Sequence, residues 1–217
     1  MEERAGTEFG ADELAARWGH SLSPAAVAGR LAGVRTPWCV AAGWAIELFT
    51  GRSRPHGDIE IAVPGAGHAE VIARFEDCEL DAPIDGRVWR CATPEEFAST
   101  HQTWVRDPVT DHYLVDVFRE PHDGDTWICR RDDRIRRPYT EVVHRTAGGV
   151  PFLVAEVVLL FKAKAAREKD EIDFAAALPL LGAEQRATLA GWLRLVHPGH
   201  PWISRLDSDG VTRGCHR

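Results

Sequence analysis

At 217 residues, 44% hydrophobic and 27% charged, the chain is sized for one medium domain or a core with a small helical appendage, and it can bury a proper interior. Its formal charge of −7, from 26 Lys and Arg against 33 Asp and Glu, argues against general nucleic-acid binding and suits a cationic small substrate. No apolar run approaches the roughly 20 residues that span a bilayer, which excludes a membrane-spanning helix. Met1-Glu2-Glu3-Arg4 is acidic and leads into no apolar stretch, so no secretory signal is expected. Five scattered cysteines (Cys39, Cys78, Cys91, Cys129, Cys215) form no C-x-x-C pair and read as reduced thiols of a cytoplasmic protein, with neither a disulfide frame nor a zinc site.

Taken in chain order, the first dozen residues read as a loose lead-in. Ser23-Pro24 supplies an N-cap and a first-turn proline for a helix over 24–31, ended near Gly33. A short buried strand is expected over 38–41, and Gly43 opens a helix that ends at Gly51. A basic loop over 52–57 leads to a strand over 58–63, stopped by Pro64-Gly65. A helix over 66–75 and strand pieces over 78–80 and 87–91 follow, while 93–110 carries no single pattern. Strands are expected over 113–118 and 127–131, with 134–146 irregular or a hairpin. After Gly148-Gly149 the pattern turns helical over 155–167, 170–178 and 183–196, broken near Pro179 and Gly182. The expected class is α+β, a mixed core over 1–150 followed by a helical region over 151–217.

Successive strand residues face opposite sides, so Asp58 and Glu60 project together, roughly 7 Å apart at the backbone. Two acids so placed repel unless a cation lies between them, and Mg²⁺ shares carboxylates with substrate phosphates. Asp116, embedded in apolar strand residues, needs a partner to offset its desolvation. Beside Asp58 and Glu60 it would complete a cage for two Mg²⁺ ions about 3.5–4 Å apart, and it would serve as the general base. Gly43, at a strand-to-helix turn, lets free N–H groups approach phosphate oxygens. Arg52, Arg54 and His56 stand where they can meet the β- and γ-phosphates. Each feature alone has a bland alternative: a solvated strand face, an ordinary turn, a solvated basic loop. Glu47 reads as either a supporting or a surface residue. Their order along the chain favours a site.

The run Ala42-Gly43-Trp44-Ala45-Ile46-Glu47-Leu48, then Gly51-Arg52 and His56-Gly57-Asp58-Ile59-Glu60-Ile61, resembles the small antibiotic nucleotidyltransferases of the polymerase-β-like superfamily, of the aminoglycoside and lincosamide types. The resemblance covers 38–63 and extends to Asp116. It implies a nucleotidyltransferase-like core, a short mixed sheet flanked by helices, with the C-terminal helical region completing the active-site cleft. It also implies Mg²⁺-dependent transfer of a nucleoside monophosphate, AMP from ATP, to a hydroxyl of a small acceptor such as an aminoglycoside-like antibiotic, releasing pyrophosphate. Asp58, Glu60 and Asp116 would bind metal and act in catalysis; Gly43, Trp44, Arg52, Arg54 and His56 would bind the nucleotide.

Residues 155–164 with 169–174 are similar to a C-terminal helix pair in uncharacterised bacterial members, where a lysine reaches the triphosphate. Lys162 or Lys164 is the candidate; on different faces of one helix, only one would serve. Lys169 and the acids Asp170 and Asp173 are expected to cap or brace the next helix. Two departures from the family pattern are Ala42 in place of a first glycine and Glu60 in place of an aspartate. Two alternatives stay open. One is a nucleotidyltransferase toxin acting on tRNA through the arginines of residues 130–137; the other is a module that kept the fold and lost turnover. Gly65-Ala66-Gly67 makes no dinucleotide fingerprint, His197 and His200 read as loop residues, and Trp89, Trp104 and Trp127 read as core before base-stacking groups.

Overall fold

Ile59, Ile61 and Val63 alternate with Glu60 and Ala62, and this period of two places one set of side chains on each face of a central strand. The computed structural model describes residues 5–208 and builds the molecule around that strand. The elements in chain order begin with α1 (Ala11–Trp18), α2 (Pro24–Arg30), β1 (Cys39–Val40), α3 (Ala42–Thr50), β2 (Glu60–Pro64) and α4 (His68–Ile72). Next come β3 (Glu79–Ile84), β4 (Arg87–Trp89), α5 (Pro94–Ala98), β5 (Gln102–Arg106) and β6 (Tyr113–Glu120). The small strands β7 (His122–Asp123), β8 (Thr126–Ile128) and β9 (Arg136–Pro138) precede α6 (Tyr139–Val142), β10 (Val143–Arg145) and β11 (Pro151–Leu153). Four helices follow among the described residues: α7 (Ala155–Lys162), α8 (Glu168–Ala177), α9 (Ala183–Val196) and α10 (Pro201–Ser208).

Eight strands form one mixed sheet in the order β10-β11-β1-β2-β6-β5-β3-β4, and β7-β8-β9 form a separate antiparallel sheet. β2 runs parallel to β6 and β1 parallel to β11, while β1 and β2 are antiparallel. On one face Ile59, Ile61, Val63, Val115 and Val117 are fully buried against Val27 and Leu31 from the α2 region and Val71 of α4. On the other, Ala62 and β1 share a cluster with α3, α7, α8, α9 and α10, through Ile46, Leu159, Phe174, Leu193 and Trp202. At roughly 1.5–3 kcal/mol for each fully buried large apolar side chain, that shared cluster fastens the helices to the sheet. A boundary at residue 150 falls just before β11, whose residues pair with β1 and β10.

The expected mixed α/β core and the C-terminal helices are present, with several shifts. A helix, α1, begins at Ala11, at the end of the expected lead-in, and is held by Trp18, which finds Trp104 and Tyr113 at centroid distances of 5.3 and 5.0 Å. The patternless stretch over 93–110 forms α5 and β5; Thr93 and Glu96 make a capping box with Pro94 in the first turn. β9, α6 and β10 occupy 134–146, and α10 follows the last expected helix. β2 starts at Glu60, not Asp58, because β1 is two residues long and its register ends at Val40↔Ile61 before the chain turns into α3. α7 stops at Lys162 instead of running to 167: Asp170 accepts from the Arg167 N–H at 3.1 Å and starts a new helix there. Among the described residues no helix is long and apolar enough to cross a membrane. Cys215 and residues 1–4 lie outside the described residues.

Candidate active site

The parallel pairing of β2 with β6 sets Glu60 directly beside Asp116, and residues so paired point to the same face. Asp58 lies in the extended stretch before β2, near enough for its charge to act on both. Asp116 is 4% exposed. Its Oδ2 accepts from Gln102 Nε2 and, at 3.0 Å, from Trp104 Nε1, while its Oδ1 is buried with no hydrogen-bond partner. Burial, reinforced by Asp58 and opposed by those two donors, pushes the Asp116 carboxyl up to about 8. Burial, then Asp58 and Asp116, pushes Glu60 up to about 8 as well.

Three oxygen acids, two of them short of compensating charge and one with an orphaned buried oxygen, are the donor set a hard divalent cation requires. The residues fit Mg²⁺ by that chemistry. Among the described residues, no three His, Cys, Asp or Glu stand close enough together to hold a metal ion as they are placed, so a cation would have to draw the three acids in against their mutual repulsion.

The α3 side of the site is a braced loop. Gly43 has no Cβ because one built there would overlap Arg54 Nη2 and come within 3.2 Å of His56 Nδ1. Trp44 stacks on His56 at 4.0 Å and donates from Nε1 to the Asp58 carbonyl at 3.1 Å, so it holds the acid-bearing stretch in place. Glu47 takes the bracing role: its Oε2 lies 2.8 Å from His56 Nε2 and accepts from the Arg54 N–H at 3.2 Å. Burial, then Arg54, lowers the His56 pKa against the opposing pull of Glu47. Arg54 lines the cleft with its guanidinium gripped by Asp173 at 2.8 and 3.0 Å. Arg52 is not brought to the cleft. Gly51, left-handed at φ 67°, ends α3 and turns Arg52 into a separate groove between α3 and α8.

A cleft of about 400 Å³ runs from Gly43 past Asp58 and Glu60 towards Phe118 and Glu120. Both candidate lysines line it, because α7 ends at Lys162 and Lys164 is no longer on a helix face. Lys162 Nζ bridges Asp170 at 3.0 Å and Asp173 at 2.8 Å, whereas Lys164 is exposed at the rim. Asp170 caps α8, and Lys169 lines the cleft.

Gln102, in the stretch with no clear pattern, carries no signal in the sequence. Trp104, expected as core, donates to Asp116, and Asp173, expected to brace the next helix, grips Arg54 and Lys162 from the buried face of α8. Arg130 and Arg131 turn into the cleft, and the rest of that run is self-paired: Arg134 with Asp132, Arg136 with Asp133, Arg137 with Glu141. Trp127 is core, donating to Glu120 at 3.3 Å.

No protein-family model matches the chain, and no curated protein is significantly similar to it in sequence. Solved structures are similar in fold. The solution structure of the antibiotic-resistance factor ANT(2'')-Ia aligns with a TM-score of 0.54 at 17% identity, over 85% of this chain and 92% of that one. A crystal structure of ANT(2'')-Ia with adenylyl-2''-tobramycin gives 0.52 at 17% identity, over 76% and 92%. The lincosamide antibiotic adenylyltransferase LnuA, lincomycin-bound, aligns at 0.48 and 16% identity over 69% and 90%, too loosely to carry weight. Identities this low speak to architecture alone, and the chain is built on the fold of these antibiotic nucleotidyltransferases.

Proposed function

We propose that the protein is an Mg²⁺-dependent nucleotidyltransferase that moves a nucleoside monophosphate, AMP from ATP, to a hydroxyl of a small acceptor. The observation that carries this is the register that sets Glu60 beside Asp116, with Asp58 adjacent and Asp116 Oδ1 buried without a partner. Asp58, Glu60 and Asp116 would hold the Mg²⁺, which supplies charge neutralisation on the triphosphate and a more acidic acceptor hydroxyl. The acceptor oxygen forms a bond to the α-phosphorus, the α–β bridging P–O bond breaks, and the electron pair leaves with pyrophosphate. The hydroxyl proton passes to Asp116, which stands beside Glu60 on the same face of the sheet.

The Arg54 guanidinium packed against Gly43, with Lys162, Lys164 and Lys169 on the same cleft wall, favours the triphosphate at that end. Trp44, His56 and Glu47 act as positioning residues, keeping the acid-bearing stretch and Arg54 in register. The fold neighbours' names, which pair ANT(2'')-Ia with adenylyl-tobramycin, add hydroxylated antibiotics as an acceptor class to try. Binding of ATP with Mg²⁺ by calorimetry, followed by pyrophosphate release with candidate acceptors, tests the reading. Loss of turnover is expected in Asp58→Ala, and turnover that survives that change removes the proposed metal site.

A further inference from the structure

The chain and its cleft have opposite charge. The sequence carries −7, yet seven cleft-lining side chains are Lys or Arg and three are Asp or Glu. The acidic balance that suited a cationic substrate therefore sits elsewhere on the surface. Part of the positive charge is already matched: Arg54 and Lys162 by Asp173, Lys162 and Arg167 by Asp170, and Arg130 by Glu120 at 3.2 Å. Among the described residues, Arg131, Lys164 and Lys169 have no carboxylate partner.

Arg131 stands at the end of the cleft away from Gly43. Its Nη1 donates to the Leu160 carbonyl at 3.0 Å and lies 3.2 Å from His197 Nε2, and its guanidinium carbon is 5.0 Å from the Phe161 ring. The guanidinium is thus anchored by one nitrogen and packed on an aromatic face. Its other donors have no protein partner among the described residues. The floor beneath joins Ala62 and Phe118, paired across β2 and β6 on the face that carries Glu60 and Asp116, and the Arg130 guanidinium lies over the Phe118 and Phe161 rings at 5.3 and 4.9 Å, adding a second cation beside Arg131. Glu120 closes that floor four residues beyond Asp116, about 13 Å at about 3.3 Å per residue. A triphosphate that runs from the carboxylates towards Gly43 and α8 leaves this second end to the acceptor.

We infer that the acceptor is a small hydroxylated anion whose phosphate or carboxylate is held by Arg131 over the Phe118 and Phe161 floor while its hydroxyl reaches Asp116, an inference that rests on the nucleotidyl-transfer reading. A planar, always-charged guanidinium with open donors is suited to phosphate and carboxylate oxygens. A polyamine brought into the same cleft would meet uncompensated like charge.

The test uses the full chain, ATP labelled at the α-phosphate and Mg²⁺, with glucose 6-phosphate, gluconate, tobramycin, lincomycin or a short single-stranded RNA as acceptor. Label is expected on glucose 6-phosphate or gluconate with kcat/KM at least about tenfold above tobramycin and lincomycin. Arg131→Glu is expected to raise KM for that acceptor by about tenfold or more while calorimetric ATP affinity changes less than about twofold. Arg131→Gln, which keeps a donor for the Leu160 carbonyl, shows the same sign if the reversal fails to fold, and Arg131→Lys recovers part of the loss. Preference for tobramycin or lincomycin, labelling of RNA alone, labelling of neither anion while ATP is bound, or equal weakening of ATP in Arg131→Gln each overturns it. Failure of ATP to bind the unaltered chain overturns the nucleotidyl-transfer reading and this inference with it.

Discussion

Ala42 is the residue where local conformation and composition conflict most. It adopts φ 47°, the left-handed region in which a Cβ crowds the following carbonyl, at the strand-to-helix turn beside Gly43. The glycine expected there from the family pattern has a physical counterpart in that angle. Ala42→Gly is therefore expected to raise stability by about 1 kcal/mol, read as a higher urea midpoint with unchanged slope. A lower midpoint would show that Ala42's contacts outweigh its strain. Gly43 beside it has no such freedom to change. Gly43→Ala pushes against Arg54 and His56, and a loss of ATP affinity larger than the loss of stability is the expected outcome, measured by calorimetry and melting on one preparation.

At the level of elements, the joint between α7 and α8 is an ion cluster. Lys162, at the end of α7, meets Asp170 and Asp173 of α8, and Asp173 also grips Arg54 from the loop after α3. Asp173 is 3% exposed, so removing its partners strands a charge away from water. Lys162→Met, which leaves Asp173 to Arg54 and Asp170 to Arg167, is expected to cost about 2 kcal/mol in urea unfolding, and a cost below about 0.5 would mean that those two arginines suffice. Burial alone would raise the Asp173 carboxyl, but hydrogen bonds from Arg54 and Lys162 hold it below its usual value. That stabilisation is full above about pH 4, where the unfolded carboxyl is ionised, and is lost as pH falls through the lower folded value. Asp173→Asn is expected to flatten the acid limb of the melting profile below about pH 4, and an unchanged limb would place the acid lability elsewhere.

Across the whole molecule, Glu60 and Asp116 have the opposite sign. Their folded carboxyls stand near 8, so between about pH 4 and 8 the folded chain binds protons that the unfolded chain has released. Without a divalent cation, stability contributed at this site falls as pH rises through that window. A cation that replaces those protons reverses the trend, so Mg²⁺ is expected to raise the melting temperature more at pH 8.5 than at pH 6. Asp116→Asn should remove most of that difference, and equal Mg²⁺ shifts at both values would count against a metal at these acids. The β2 alternation, the glycine turn and the acids Asp58 and Glu60 at the entry to β2 are legible in the sequence, because period and turn chemistry are local and survive without tertiary context. It also marked the C-terminal helices through their apolar spacing. The stop of α7 at Lys162, the burial of Asp170 and Asp173, the outward turn of Arg52 and the donors Gln102 and Trp104 on Asp116 belong to pairs as many as 119 residues apart, such as Arg54 and Asp173. The basic cleft in an acidic chain is of the same kind: net charge sums over all residues, while a substrate meets only the few that long-range packing of the sheet and α7 brings to one wall.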